Sequence, residues 1–425
     1  MELRNQTETE SPANGRKAWG YSQSFLVAAE LLILGFALEV IFRGTPVHSP
    51  HMPYNLIILI LFLGIIAVLH FFFRKNSFVR WLSSIPCSIS AISVYAALVL
   101  LLGFIPQDKP AGRIIEMLGF THMKNSWPFL IIQVYLLLSL GLVILRRATP
   151  FTRKNAGFLL NHLGLFIALV AGGLGSGDMQ RLSVELFENG NFKNMAYSGQ
   201  HKILALPFSM KLLEFKLTEY SPKLAIANAR TGDLVNAQGE VLPMIEKGMH
   251  TKFMHWKINV KDMMPYALYS DSLGYYPSKE PGNAAVAYIE ATNELTGDSV
   301  KGWLCNGGLR VNPRYINLPD SQLFFITSPE PKKFESKIVV KNKNGQLDTP
   351  TIEVNKPYKI REWTIYQESY DSTLGPASKT SVIEAVYDPW LPLVYVGIFL
   401  MLAGGVYLFW LGSDVRKEPG DETQS

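Results

Sequence analysis

Six apolar stretches, each long enough to cross a lipid bilayer, limit most strongly how this chain of 425 residues can fold. A helix of about 20 residues spans the hydrocarbon core of a bilayer, which is about 30 Å thick. Apolar residues make up only 48% of the whole chain, so the average conceals how strongly they are segregated. The sequence therefore predicts a polytopic α-helical membrane protein with about six transmembrane helices. The stretches carry few or no charges and cover residues 24–42, 54–73, 84–105, 128–145, 157–175 and 391–411.

The basic residues that flank these stretches predict the orientation of the chain. Cytoplasmic loops of membrane proteins are enriched in Lys and Arg. In the tails and short loops, twelve such residues fall on one side and four on the other. Both termini are therefore expected in the cytoplasm, and residues 176–388 on the outer side of the membrane. The net charge of +5 follows from this clustering and does not indicate binding to nucleic acid. The twelve are Arg4, Arg16, Lys17, Arg74, Lys75, Arg80, Arg146, Arg147, Arg153, Lys154, Arg416 and Lys417; the four are Arg43, Lys109, Arg113 and Lys124.

The long outer segment is predicted to be a β-rich domain inserted before the last helix. Residues 208–220 alternate apolar and polar, with a slip at Leu212 and Leu213 that indicates a bulge. Asn344 and Gly345 form a typical hairpin turn between two further strand-like segments. The predicted order is a cytoplasmic tail (1–23), an N-terminal pair of transmembrane helices (24–80), helices three to five (81–175), the periplasmic domain (176–388), the sixth helix (389–412) and a second cytoplasmic tail (413–425).

His162 is the first candidate for a functional residue, because polar groups at membrane depth are costly to bury. It lies near the cytoplasmic end of the fifth predicted helix. On the opposite face, Gly164, Ala168, Gly172 and Ser176 follow one another at a spacing of four, which allows close packing against another helix. Two interpretations stand: a histidine hydrogen-bonded inside the bundle, or one that presents a ligating nitrogen.

Three further ionisable groups lie at membrane depth. His70 ends the second helix at a depth similar to that of His162, so the two histidines are candidate axial ligands of one haem. The alternative is that His70 lies at the interface and reaches the headgroups. Glu39 precedes Arg43 by four residues, which predicts an ion pair along the helix. Glu30 has no partner nearby in sequence, and His70 is its candidate partner on the second helix.

Familiar catalytic motifs are missing from the sequence. It contains no P-loop, GxGxxG, HExxH or nucleophile elbow, so neither hydrolysis nor nucleotide chemistry is predicted and no residue is named as catalytic. Cys87 lies in a membrane helix and Cys305 in the outer segment, so they are not expected to pair, and there is no CxxC. His250 and His255 are expected to be solvent-exposed rather than metal ligands.

Four short segments carry a resemblance to a known family, in matching order along the chain. They are residues 103–107 (GFIPQ), 126–129 (SWPF), 161–165 (NHLGL) and 388–395 (DPWLPLVY). With residues 206–215 and 363–366 of the outer segment, they resemble the ResB/CcsB family of cytochrome c biogenesis proteins, the family of system II. The resemblance covers about residues 84–411, and the first two helices are additional to the family's four-helix core.

The resemblance implies delivery of haem b to c-type apocytochromes and its attachment on the outer side of the membrane. The family's haem-ligating histidine corresponds to His162, whereas His70 receives no role. The family acts with a CcsA-type, Trp-rich membrane partner that carries a haem-handling segment absent from this chain. The chain is therefore expected to be a subunit of a holocytochrome c synthase complex and not to be catalytic by itself. Other implied partners are the apocytochromes, a thiol-reducing protein and the lipid bilayer.

The residues alone leave one other class open. A non-enzymatic membrane sensor or scaffold with a ligand-binding periplasmic domain would show the same hydrophobic pattern. A transporter is disfavoured, because the helices carry few polar residues and show neither an inverted repeat nor a pair of broken helices.

Overall fold

The computed structural model describes residues 19–107, 109, 111–199, 202–235 and 241–412. Five of the counted basic residues and most of both predicted tails lie outside the described residues; the five are Arg4, Arg16, Lys17, Arg416 and Lys417. The chain divides into two compact units. The helical unit comprises residues up to Met179 and from Asp388 onward, and the β unit comprises Gln180–Tyr387.

In the described part of the helical unit, six helices are long and apolar enough to cross a membrane. They are joined by two short helices and by 3₁₀ segments, among them Phe120–Asn125, Arg153–Asn155 and Gly175–Gly177. The predicted membrane fold class is thereby confirmed. The helices are α1 (Tyr21–Ile41), α2 (Tyr54–Phe73), α3 (Ser77–Leu82), α4 (Ile85–Phe104), α5 (Arg113–Met117), α6 (Trp127–Ala148), α7 (Ala156–Leu174) and α8 (Leu391–Gly412).

Helix α6 forms the centre of the helical unit. It packs against α1, α2, α4 and α7, and it is by far the most buried of the six long helices. Its ends follow ordinary helix rules. Pro128 occupies the first turn, where a missing N–H costs nothing, and Arg146 and Arg147 face the negative end of the helix dipole in the last turn.

Helices α7 and α8 touch backbone to backbone through glycine. A Cβ added to Gly164 would lie 2.4 Å from the Gly397 carbonyl oxygen, and one added to Gly397 would lie 2.9 Å from the Cβ of Ala168. The predicted close packing is thus confirmed at Gly164 and Ala168. It is wrong at Gly172, where an added Cβ would meet nothing within 4 Å. The stripe of small residues on α7 therefore extends beyond the part of α7 that packs against α8.

The described residues of the β unit form three antiparallel sheets. The strands are β1 (Gln180–Phe187), β2 (Lys193–Ser198), β3 (Ile203–Glu219), β4 (Leu224–Asn228), β5 (His250–Phe253), β6 (Trp256–Ser270), β7 (Gly274–Pro277), β8 (Ala284–Asn293), β9 (Ser299–Cys305), β10 (Ile316–Leu318), β11 (Gln322–Ile326), β12 (Pro331–Lys341), β13 (Leu347–Asp348), β14 (Thr351–Glu353), β15 (Tyr358–Ile360), β16 (Trp363–Tyr370) and β17 (Thr380–Tyr387). The first sheet has nine strands in the order β13-β12-β3-β2-β1-β17-β16-β15, with β14 pairing on β12. The second has five strands in the order β5-β6-β8-β9, with β7 pairing on β6, and the third has three strands in the order β10-β11-β4.

Two local predictions for the β unit are confirmed. In the pairing of β3 with β12, Glu214 lies opposite Lys337 and Leu212 opposite Ile338, so Leu213 is the extra residue of the predicted bulge. The bulge keeps Leu212 and Phe215 both buried, although they are three residues apart. The predicted hairpin turn joins β12 to β13, with Gly345 at a φ of +80°.

Candidate functional site

His162 lies on α7, two turns from the start of that helix, and is half-buried. Its Nδ1 lies 2.9 Å from the carbonyl oxygen of Phe158, one turn earlier. Because a carbonyl oxygen only accepts hydrogen bonds, Nδ1 carries the proton and Nε2 keeps its lone pair in the neutral ring. No residue that the structure describes hydrogen-bonds to Nε2. The imidazole is therefore fixed in the tautomer that presents a free ligating nitrogen.

The ring of His162 is also held by stacking. It lies against the ring of Phe158 with centroids 3.7 Å apart and an angle of 22° between the planes. On Phe158, the guanidinium carbon of Arg147 lies 5.3 Å from the ring centroid. The three side chains form a stack of cation, phenyl ring and imidazole that joins the end of α6 to the start of α7. It places a fixed positive charge beside the candidate ligand.

His70, the second predicted ligand, has a different environment. It is 5% exposed, and its Nε2 lies 2.9 Å from the hydroxyl oxygen of Thr149. That hydroxyl donates its only proton to the carbonyl oxygen of Leu145 at 2.8 Å, so Nε2 of His70 is the donor to Thr149. Nδ1 is the nitrogen left with a lone pair, and His70 remains a candidate ligand through that atom alone.

The predicted ion pair between Glu39 and Arg43 is wrong. Glu39 is fully buried, and its carboxylate accepts hydrogen bonds from Nε2 of His122 at 2.9 Å and from the backbone N–H of Trp127 at 2.7 Å. Helix α1 ends at Ile41, and Arg43 has a φ of +56°. Because the helix does not continue, the geometry that brings residues four apart together is lost.

The predicted contact between Glu30 and His70 is also not observed. Glu30 is exposed on the surface of α1, near the middle of that membrane-spanning helix, and no hydrogen bond joins it to a described residue. A carboxyl group in this position is costly in lipid unless another polar group covers it.

Asp178 is a residue whose importance the sequence analysis missed. Its carboxylate accepts hydrogen bonds from the backbone N–H of Met52 (2.8 Å), Nδ2 of Asn55 (2.6 Å) and Nε1 of Trp390 (2.7 Å). It thereby ties the start of α2, the end of α7 and the start of α8. Burial raises the pKa of Asp178, but the three donors outweigh it and hold the pKa below its ordinary value. One sequence feature could have indicated the importance of Asp178: no other acidic residue lies between Glu116 and Glu185.

The two cysteines are free and buried in different units, so the expectation that they do not pair is confirmed. Cys305 lies at the end of β9, where burial raises the pKa of its thiol. A raised pKa disfavours the thiolate that disulfide exchange requires.

If the chain acts in cytochrome c biogenesis, as the resemblance implies, maturation should therefore survive replacement of both thiols. In a Cys87→Ser, Cys305→Ala variant we expect haem attachment to stay near the wild-type level, measured as covalently bound haem in denatured membrane proteins. Serine keeps a hydrogen bond to the Tyr135 hydroxyl, which lies 3.1 Å from Cys87 Sγ. Complete loss of maturation at normal protein abundance would reveal a thiol step in this chain.

Two outer histidines, His250 and His255, are exposed, as predicted. Among the described residues, no group of three or more His, Cys, Asp or Glu side chains is arranged to hold a metal ion.

Comparison with known proteins gives one family. The model of the ResB-like family matches residues 272–382, about a quarter of the chain. The resemblance to the ResB/CcsB family is confirmed. The match implies a broad role in cytochrome c biogenesis. The matched segment runs from just before β7 into β17, so it lies within the β unit and does not include His162 or His70. No curated protein matches the chain.

Proposed function

We propose that this ResB-like chain is a subunit of a membrane complex that delivers haem and attaches it to c-type apocytochromes on the outer side of the cytoplasmic membrane. The observation that carries the proposal is the imidazole of His162, with Nδ1 bonded to the Phe158 carbonyl oxygen and Nε2 without a described partner. A neutral imidazole with a free ring nitrogen is the form that ligates haem iron. The family match in the β unit supports the same process from a separate part of the chain.

The residues around His162 fit haem by their chemistry. Nε2 of His162 would bind the iron, and Arg147 supplies a cation of the kind that pairs with a haem propionate. Apart from Asn161, which donates to the carbonyl oxygen of Met401 on α8, the rest of α7 is apolar and suits the porphyrin ring. Haem is the cargo here, and it supplies the vinyl groups that become thioether bonds to apocytochrome cysteines. The role of this chain is to hold the cargo in an apolar setting through one fixed imidazole.

The remaining roles belong to partners. A CcsA-type, Trp-rich membrane protein would supply the haem-handling segment, and a thiol-reducing protein would keep the apocytochrome cysteines reduced. The β unit is proposed to lie in the periplasm, where apocytochromes arrive. His70 stays a proposed second ligand.

The test is removal of the gene in the native bacterium. Covalently bound haem in c-type cytochromes, detected by haem staining of denatured membrane proteins, should be lost while the apocytochrome polypeptides are still exported. The wild-type gene should restore it. A sensor or scaffold with another task would leave haem attachment intact, and that outcome would reject the proposal.

The orientation leads to a separate prediction. Alkaline phosphatase fused after Gly177 should be active, because the positive-inside distribution places that position in the periplasm, and a fusion after Lys154 should be inactive. The reverse pattern would overturn the assignment of sides.

A further inference from the structure

A basic cavity at the predicted cytoplasmic end of the helical unit is separate from the residues that hold the His162 ring. It has a volume of about 590 Å³, and four cationic side chains line it. We call this cavity the basic pocket, and we propose that it binds the phosphate-bearing headgroup of an acidic phospholipid. The four cations are Arg74 and Lys75 after α2, Arg80 in α3 and Arg146 in the last turn of α6.

Charge complementarity calls for an anion in the basic pocket. None of its four cations forms an ion pair with a carboxylate in the described part of the chain. The two connecting segments that supply them, residues 74–84 and 146–156, contain seven basic residues and no acidic residue. Cations gathered in one cavity repel one another, and a bound anion removes that repulsion.

The polar wall of the basic pocket suits phosphate oxygens. Nη1 of Arg146 donates to the hydroxyl oxygen of Ser83 at 3.1 Å, which holds the guanidinium in place. Ser83, Thr149 and the largely buried His70 also line the cavity. Guanidinium groups bind phosphate through paired, charge-assisted hydrogen bonds. The pocket therefore offers several donors to one anionic group.

Membrane orientation alone does not account for this arrangement. The positive-inside rule requires basic residues in a loop, but not their meeting in one concave site. Here the cations come from the segment that follows α2, from α3 and from α6, and the cavity between them has a polar wall. Basic pockets between transmembrane helices on the cytoplasmic side are typical binding sites for lipid headgroups.

An exposed aromatic surface next to the pocket favours a lipid over a free phosphate ion. Phe71, Phe72 and Phe73 form the last turn of α2, directly before Arg74, and their exposed fractions are 62%, 80% and 51%. Phe78 in α3 is 53% exposed. Because α2 is a membrane-spanning helix, these rings face lipid beside the pocket. An acyl chain can pack on them while its own headgroup fills the pocket, whereas a free phosphate ion makes no use of this surface.

The test is lipid binding by the purified full chain after delipidation in a neutral detergent. Dioleoylphosphatidylglycerol should raise the thermal unfolding temperature, because a ligand of the folded state stabilises it. Dioleoylphosphatidylcholine and inorganic phosphate, added in separate arms, should not. One basic side chain strengthens binding to an anionic lipid surface about fivefold, so the Arg80→Gln, Arg146→Gln variant should bind phosphatidylglycerol about 25-fold more weakly.

Two matched variants make the result specific. Arg80→Lys, Arg146→Lys keeps the charge and should keep most of the binding. Arg43→Gln, Arg113→Gln removes the same charge at the other end of the helical unit and should bind like the wild type. An equal response to both lipids, or unchanged binding after Arg80→Gln, Arg146→Gln, would overturn the proposal. A full response to phosphate alone would also overturn it, because it would indicate a site for a soluble anion. Loss of haem from Arg80→Gln, Arg146→Gln with unchanged lipid binding would overturn it as well, because it would indicate a site for haem carboxylates.

Discussion

Replacing His162 with alanine is expected to strip haem from the purified protein, and free imidazole in the growth medium is expected to restore part of it. An imidazole that binds iron makes a bond that no apolar side chain replaces, whereas a packing histidine contributes volume and one hydrogen bond. Loss of an iron ligand should lower the haem content on the order of tenfold or more. Imidazole is small enough to enter the vacated space and to renew the bond. The measurement is the Soret absorbance per protein, together with covalently bound haem in c-type cytochromes.

His70→Ala is the matched control, because it makes the same truncation at the same predicted membrane end. If the two histidines share one haem, this variant should show the same defect and the same rescue. If Nδ1 of His70 has no ligating role, its haem content should stay at the wild-type level. Full haem with an unchanged spectrum in His162→Ala would show that His162 only packs. That result would reject the ligand assignment even if the deletion strain lacks cytochrome c.

Replacing Asp178 with alanine is expected to have the largest effect on stability. Hydrogen bonds to a charged acceptor contribute about 1.5–3 kcal/mol each, and Asp178 accepts three strong ones. Their loss also leaves the indole N–H of Trp390 without its acceptor, and Nδ2 of Asn55 keeps only the carbonyl oxygen of Leu174 at 3.4 Å. Because such contributions are not fully additive, we expect a loss of about 3–5 kcal/mol in the free energy of unfolding. Thermal unfolding in detergent, followed by circular dichroism at the helix band, measures it.

The control for Asp178 is Glu116→Ala in the same unit. Glu116 is exposed, and its carboxylate accepts one hydrogen bond, from the N–H of Ala111 at 3.2 Å. Its replacement should change stability by about 0.5 kcal/mol or less. Equal destabilisation by the two variants would show that Asp178 does not tie the helices together.

The charge of Asp178 gives this prediction a pH dependence. The pKa of Asp178 is held below its ordinary value of 3.8, so its contribution is complete above about pH 3.8 and is lost as the pH falls through the lowered value. Asp178→Asn resembles the protonated form. The stability difference between wild type and Asp178→Asn should therefore be constant between about pH 5 and 7 and should shrink below about pH 3.8. A difference that does not change with pH would show that charge is not the cause.

Much of this fold could be read from local sequence patterns. The membrane helices followed from apolar length, because every backbone group in lipid must be satisfied within its own segment and about 20 residues cross the bilayer. The bulge at Leu213 followed from a slip in alternation, because side chains of a strand point to opposite faces in turn. His162 emerged as a candidate because ionisable groups are rare in such helices, and the family resemblance agreed.

The partners of the polar side chains were decided by tertiary structure. Glu39 bonds to His122, 83 residues away, rather than to Arg43, because α1 ends at Ile41 and Arg43 does not lie one helical turn above Glu39. Asp178 joins three helix ends, and Asn55 and Trp390 lie 123 and 212 residues from it along the chain. Hydropathy measures how each segment meets lipid or water, and it carries no information about which helix ends meet. A polar group at such an end bonds to whatever donor the packing brings within about 3 Å, and packing is a property of the whole bundle.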